Sequence, residues 1–313
     1  MEGNCVEHVQ VLIAGGGFGG LTAAIWCHRL GIPAFLIEKT DALGGQLAHI
    51  RSEIYDFPPR IYANGPALLE ELLNHRVIAR LRPRLQEAIL SIDLQTHEVV
   101  TSRNRYRADY LILATGVSPN ELPALAGCSR VLSPWFSTTS QAASIAGLDV
   151  AVIGGGDRAV ESAANLCKHA RKVYLLVRRN RLRAQPQWAK RLDSLSNLQI
   201  LWESEIASYR ELDGRVILTL HTSRPDTPAS ICVDWILPRI GVSGNSQGLP
   251  GLSTYDNGYV KTDSFQLAAG DWVYAIGDVA SGAEYASLSL AAGQAMKAVK
   301  HISLALKRQT LRE

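Results

Sequence analysis

The sequence predicts an α/β chain of two βαβ-based domains, the second inserted into the first, and three observations predict it. Residues 9–39, VQVLIAGGGFGGLTAAIWCHRLGIPAFLIEK, read as a buried strand, a glycine turn, a helix and a second strand. Residues 148–179, LDVAVIGGGDRAVESAANLCKHARKVYLLVRR, repeat that order, which marks an internal duplication. No low-complexity linker divides the units, and the chain is expected to cross near residues 117–130 and 241–248, where turn-forming residues cluster in GVSPNELP (116–123) and GVSGNSQGLPG (241–251). The simplest arrangement is a discontinuous first domain, 1–118 and 246–313, interrupted by a second at 119–245. At 313 residues and 47% hydrophobic composition the chain is long enough for two cores.

The first unit justifies the reading element by element. Gly15-x-Gly17-x-x-Gly20 stands between strand and helix, and Glu38 ends the next strand at the distance from which a carboxylate grips an adenosine ribose. Gly15 permits the tight turn, Gly17 lets backbone approach a pyrophosphate, and the helix start offers unpaired N–H groups. Further on, YLILATG at 110–116 reads as a strand running into a turn. In the second unit Gly154-x-Gly156-x-x-Ala159 repeats the glycine motif, with Asp157 and Arg158 inside it. The strand that follows ends in Arg178 and Arg179, with Arg181 and Arg183 close behind, where the first unit has an acid. Guanidinium groups match a 2′-phosphate through paired, charge-assisted hydrogen bonds, so this unit favours NADP over NAD. Asp213-Gly214 within SYRELDGRVILTLHT, 208–222, is a hairpin turn signal. Both units thus read as Rossmann-like dinucleotide-binding domains.

Composition narrows the function. A formal charge of +3 is too mild for a nucleic-acid protein. The basic run from Lys168 to Arg191 contains no carboxylate, and its outer members are expected to form a solvated face. The five cysteines, Cys5, Cys27, Cys128, Cys167 and Cys232, are scattered and never form C-x-x-C, which fits a reducing compartment without a disulfide framework and supports no metal site. Packing is the expected role of Cys27, Cys167 and Cys232; Cys128 lies in the crossing segment. MEGNCVEHVQ has no basic n-region, and no apolar run is long enough to span a membrane, so a soluble cytoplasmic protein is expected.

In their order and spacing these motifs resemble the low-molecular-weight thioredoxin reductase family over roughly residues 9–308. GGQL (44–47), IYDFP (54–58), ATG (114–116), GGGDRAVESA (154–163), RRNRLR (178–183) and IGDV (276–279) carry the resemblance. It implies FAD in the split domain and NADPH in the inserted one, and a homodimer. Gly45 and Gln46 would lie by the flavin, Ala114, Thr115 and Gly116 at the crossing near FAD, and Gly277 and Asp278 at the ribityl or pyrophosphate end. Asp56, Ser287 and, in the inserted domain, Gly241 complete the implied cofactor residues. Three departures stand out. Ala286 and Ser287 replace the family's basic residue and glutamine near the flavin pyrimidine, and Val177 replaces a common histidine. Counting back from VAVIGGG, the redox C-x-x-C falls on Ser137 and Ser140, whose local sequence, TTSQAAS, also reads as a cap before a short helix.

A serine hydroxyl has neither a disulfide couple nor an accessible thiolate, so thioredoxin reduction is not expected. No catalytic side chain is assigned beyond the flavin. The resemblance extends in outline to ferredoxin and flavodoxin NADP reductases of the same type, which points to electron passage between NADPH and ferredoxin, flavodoxin, a quinone or a small molecule. The chain ends at KRQTLRE without the aromatic extension those reductases use. Two alternatives stand beside this: a diflavin electron-transfer protein with a second FAD in the NADP-type domain, and a nonenzymatic redox-cofactor-binding module.

Overall fold

The computed structural model describes residues 6–282 and 284–311, so Cys5 and the N-terminal MEGNC lie outside the described residues. The chain divides into two units, 1–118 with 242–313, and 119–241. It opens with β1 (Glu7–Ala14), α1 (Phe18–Arg29) and β2 (Ala34–Ile37), then passes through α2 (Gly65–Leu73) to β3 (Ile89–Asp93), β4 (Glu98–Thr101) and β5 (Arg105–Leu113). β6 (Val117–Pro119) leads out of the first unit. The second begins again with β7 (Asp149–Ile153), α3 (Asp157–Leu166) and β8 (Lys172–Val177), followed by α4 (Pro186–Ala189) and β9 (Leu198–Trp202). The strands β10 (Ser204–Leu212), β11 (Arg215–Thr222), β12 (Ser230–Val233) and β13 (Trp235–Pro238) complete it. The chain returns through β14 (Val242–Gly244) and ends with β15 (Leu267–Ala269), β16 (Val273–Ala275), α5 (Asp278–Ser281) and α6 (Leu288–Thr310). β14 pairs with β6, which draws 242–244 into the first unit, four residues ahead of the expected break at 245/246.

In the first unit β1 lies between β2 and β5 in parallel register, with Val11 opposite Ala34 on one side and Tyr110 on the other. The outer edge of β5 is shared. Its first half takes β4 antiparallel, and its second half takes β16 parallel. Val11, Leu12 and Ile13 on β1 and Leu111, Ile112 and Leu113 on β5 are fully buried, as the continuous apolar runs of a sheet covered on both faces require. α1 and α6 pack together over it, and Leu21, Cys27, Val299 and Ile302 are fully buried in the same core.

The second unit repeats the plan with four parallel strands in the order β13, β7, β8, β9. Val150 faces Val173 on one side and Trp235 on the other. Beside this sheet, β10, β11 and β12 form an antiparallel meander. Asp213 and Gly214 adopt φ of 49° and 75°, so the two-residue hairpin turn forms where the Asp-Gly signal stands. In each unit the central strand has neighbours fed from opposite directions, which opens a crevice at its C-terminal end, and each glycine turn sits there.

Candidate functional site

The site of the first unit is built on the turn from β1 into α1. Gly15 has φ of 115°, and a Cβ there would lie 2.3 Å from the Ala114 carbonyl oxygen, so only glycine lets the turn pass under the end of β5. On Gly20 a Cβ would fall 1.9 Å from the Gly15 carbonyl oxygen, so its absence seats the helix on the turn. Gly17 differs, because a Cβ there would meet nothing nearer than the Gly45 Cα at 3.9 Å. It is also the N-cap of α1, with no side-chain cap and no acidic residue in the first turn. The first-turn N–H groups therefore open on bare backbone with partial positive charge, which suits a pyrophosphate.

Glu38 follows β2 and is 7% exposed. One carboxylate oxygen accepts from the Gly16 N–H at 2.6 Å, and the other from the Thr40 N–H and hydroxyl, each at 2.8 Å. Those bonds fix the carboxylate and leave acceptor capacity on the Gly16-bound oxygen for a ribose hydroxyl. Gly45, at φ of 51°, brings its backbone against Gly17. The Gln46 side chain donates to Asp278 at 2.5 Å. Burial raises the Asp278 pKa, and this hydrogen bond works against the rise. Gly277, at φ of 71°, precedes it and donates its N–H to Gln294 Oε1 at 2.7 Å. The turn Ala114-Thr115-Gly116 is clamped reciprocally by Asn245. Thr115 Oγ1 donates to the Asn245 carbonyl, the Asn245 amide group donates to the Thr115 carbonyl, both at 2.8 Å, and the Asn245 N–H reaches the Gly116 carbonyl at 2.9 Å. Asp56 and Ser287 meet at the start of α6, where their neighbours Phe57 and Leu288 pack in one cluster with Phe18 and Leu47. Ser287 Oγ caps that helix by accepting from the Leu290 N–H at 3.1 Å, and the Asp56 carbonyl accepts from Ser289 at 3.4 Å. Gln294 and Asn245 are positioning residues outside the glycine and arginine motifs, Asn245 lying in the turn-rich GVSGNSQGLPG segment.

In the second unit a Cβ on Gly154 would lie 2.3 Å from the Arg239 carbonyl oxygen and 3.2 Å from the Ala159 Cβ, so a small residue is required at both ends of that contact. Gly156 caps α3 and faces open space. The Gly155 carbonyl accepts from the Arg183 and Ala184 N–H groups at 2.7 and 3.1 Å, and Asp157 accepts from the Gln185 N–H at 2.7 Å. These bonds, Asp157's among them, hold the arginine loop beside the glycine turn. Arg158, Arg178, Arg179 and Arg183 are all exposed, and Arg178 meets Glu205 at 3.6 Å. Gly241, at φ of 91°, ends the unit, and its carbonyl accepts from the Asn120 N–H at 3.1 Å.

The outer basic run is not simply a solvated face. Arg171 makes a bidentate bond to Asp149 at 2.6 and 2.8 Å, and Lys172 and Arg191 lie over the rings of Tyr174 and Trp188. Arg239 escaped the sequence reading. Its guanidinium donates to Ser162 Oγ and to the carbonyls of Pro134 and Phe136. Burial, and then the nearby Arg158 charge, push its pKa down to about 10.

These bonds hold the segment ahead of Ser137 and Ser140. Ser137 Oγ accepts from the Ser140 N–H at 3.2 Å and pairs with Thr139 Oγ1 at 3.0 Å, so it caps its own turn. The short helix expected next is 3-10, Ala142–Ile145, with Gln141 as its cap. Cys27 is fully buried, whereas Cys128, Cys167 and Cys232 are half-buried. Burial pushes the thiols of Cys27 and Cys167 up to about 12 and 11, and raises that of Cys128 as well. Among the described residues no cluster suits a metal ion, and no helix is long and apolar enough to cross a membrane.

Comparison with known proteins gives the same architecture a lineage. The sequence matches the pyridine nucleotide-disulphide oxidoreductase family over residues 9–301. It is 30% identical to a thioredoxin reductase of Peptoclostridium acidaminophilum over 88% of this chain and 90% of that protein. A ferredoxin–NADP reductase of Gluconobacter oxydans is 28% identical over 88% of this chain and 85% of its own length. The crystal structure of Lactococcus lactis thioredoxin reductase superposes with a TM-score of 0.77 over 96% of this chain and 99% of that one, at 22% identity, a likeness of fold. The chain therefore belongs to the pyridine nucleotide-disulphide oxidoreductase family, and within it to the low-molecular-weight thioredoxin-reductase type.

Proposed function

We propose that the chain is an FAD-dependent oxidoreductase of thioredoxin-reductase type without a redox disulfide, passing electrons between NADPH and an external acceptor or carrier other than thioredoxin. The hydroxyl pair carries this reading. Counted back from VAVIGGG, Ser137 and Ser140 stand where the resemblance places the exchange cysteines, Ser137 Oγ is taken up by its own turn, and burial raises the thiol pKa of Cys27, Cys128 and Cys167.

FAD fits the first unit: the open backbone at Gly17, the pinned Glu38 carboxylate and a buried tyrosine hydroxyl with no partner among the described residues all suit a polar, phosphate-bearing group. When bound, FAD supplies the hydride and electron chemistry. The protein's part is binding and orientation. Gly15, Gly17 and Gly20 cradle the pyrophosphate, Glu38 holds the ribose, and Gln46, Asp278 and the Ala114–Gly116 turn shape the remaining wall. In the second unit the α3 start with Gly154, Gly156, Arg158 and Ala159 receives the NADPH pyrophosphate, while Arg178, Arg179 and Arg183 face its 2′-phosphate. The relatives named as ferredoxin–NADP reductases support a carrier such as ferredoxin or flavodoxin. Family likeness supports a homodimer working in the cytoplasm.

Anaerobic titration with NADPH, following the visible flavin spectrum, tests the proposal. Stoichiometric bleaching is expected, with no thioredoxin reduction in a parallel assay. An unchanged spectrum, or thioredoxin turnover, overturns it. A second FAD in the inserted unit is the competing reading. The buried apolar Val177, which would lie 3.0 Å from a Cβ on Gly155, favours it by putting an aliphatic side chain where the resemblance implies a histidine donor. That reading requires two flavins per chain.

A further inference from the structure

Tyr259 is 2% exposed, and among the described residues its hydroxyl has no hydrogen-bond partner. A phenol buried this way normally finds one, because an orphaned polar group carries the full cost of its desolvation. Its neighbours are unusually well fixed. Gly244 and Gly258 approach so closely that a Cβ on Gly244 would lie 2.2 Å from the Gly258 carbonyl oxygen and 2.8 Å from the Tyr259 nitrogen. Ser246 Oγ donates to that same carbonyl at 2.6 Å, and the Val260 N–H donates to the Val279 carbonyl at 2.8 Å.

Residue 259 is thus held between the 244–246 segment that clamps the Ala114–Gly116 turn and the Gly277-Asp278 start of α5. Val260 belongs to the aliphatic core and Tyr259 does not, as side-chain alternation along an extended segment requires. Asp278 is the charged group whose field reaches the phenol. We infer that Tyr259 is a cofactor-binding residue that donates its phenolic proton to an oxygen of the FAD ribityl-pyrophosphate chain beside Asp278. The inference rests on the assignment of FAD to the first unit. No motif marks Tyr259, since only the tertiary structure buries its hydroxyl away from any partner among the described residues.

The test uses the full chain stripped of flavin, with Tyr259→Phe beside the unchanged protein. FAD dissociation constants come from flavin fluorescence, and melting temperatures are taken with and without FAD. Loss of one donor to the cofactor is expected to weaken FAD binding by about 5- to 100-fold. The flavin-free variant should melt at or above the flavin-free parent, because the variant no longer buries an unpaired hydroxyl. Binding unchanged within about twofold, or equal destabilisation of the flavin-free and loaded forms, overturns the inference and leaves the FAD assignment standing. A parent chain that binds no FAD overturns both.

Discussion

The arginine loop offers the sharpest perturbation, Arg178→Ala with Arg179→Ala. Arg178 meets Glu205 at 3.6 Å, and the two side chains are 75% and 54% exposed. Such a solvent-screened pair contributes about 0–1 kcal/mol to folding, so removing it should leave the melting temperature nearly unchanged. Ligand binding is another matter. A hydrogen bond to a charged group contributes about 1.5–3 kcal/mol, and screening at these exposed positions lowers that, giving about 2–4 kcal/mol for the two arginines together. That loss corresponds to a rise in the NADPH KM of about 30- to 1000-fold. NADH lacks the 2′-phosphate, so its KM should move by less than about threefold. The assay is steady-state oxidation of each nucleotide with ferricyanide as acceptor, together with NADPH affinity by direct titration. An NADPH KM that stays put, or equal changes for the two nucleotides, would refute the reasoning.

Two further outcomes test the framework around the sites. Gly20→Ala forces a Cβ to within 1.9 Å of the Gly15 carbonyl oxygen, so backbone must shift; urea unfolding should show a loss of about 1–3 kcal/mol together with weaker flavin retention, and a loss below about 0.5 kcal/mol would contradict the packing account. Asp149 accepts from Arg171 and Arg215, and the Arg171 hydrogen bond, ahead of the remaining charges, holds its pKa below the usual carboxylate value. Because the folded pKa is depressed, the contribution is present above the unfolded pKa of about 4 and fades as pH falls through the lower folded value. Asp149→Asn should therefore cost about 1–2 kcal/mol at neutral pH, and its melting-temperature gap from the parent should close below about pH 4; a gap independent of pH would contradict the assignment.

Much of the local framework is legible in the chain itself. A strand, glycine turn and helix within thirty residues specify one another through short-range geometry, and so do the Asp213-Gly214 hairpin and the arginines following β8. Hydrogen-bond partners are less legible than elements. Ser287 stands at the start of α6 as its cap, Asp157 binds the arginine loop, and Arg171 is bound to Asp149 instead of lying free. Each of these side chains found a partner that the spacing could not name.

The sequence by itself determined two duplicated βαβ units, one acid-ended and one arginine-ended, and the turn-rich segments near which the chain crosses between them. Those properties depend on residue identity and on neighbours a few positions away. Only the tertiary structure decided which side chains support the sites. Gln46 meets Asp278 across 232 residues and Thr115 meets Asn245 across 130. Arg239 reaches back to Pro134 and Phe136, and the buried Tyr259 hydroxyl has no partner among the described residues. Contacts at such separations arise from how strands stack in a sheet and helices cover it, and no local periodicity records that order.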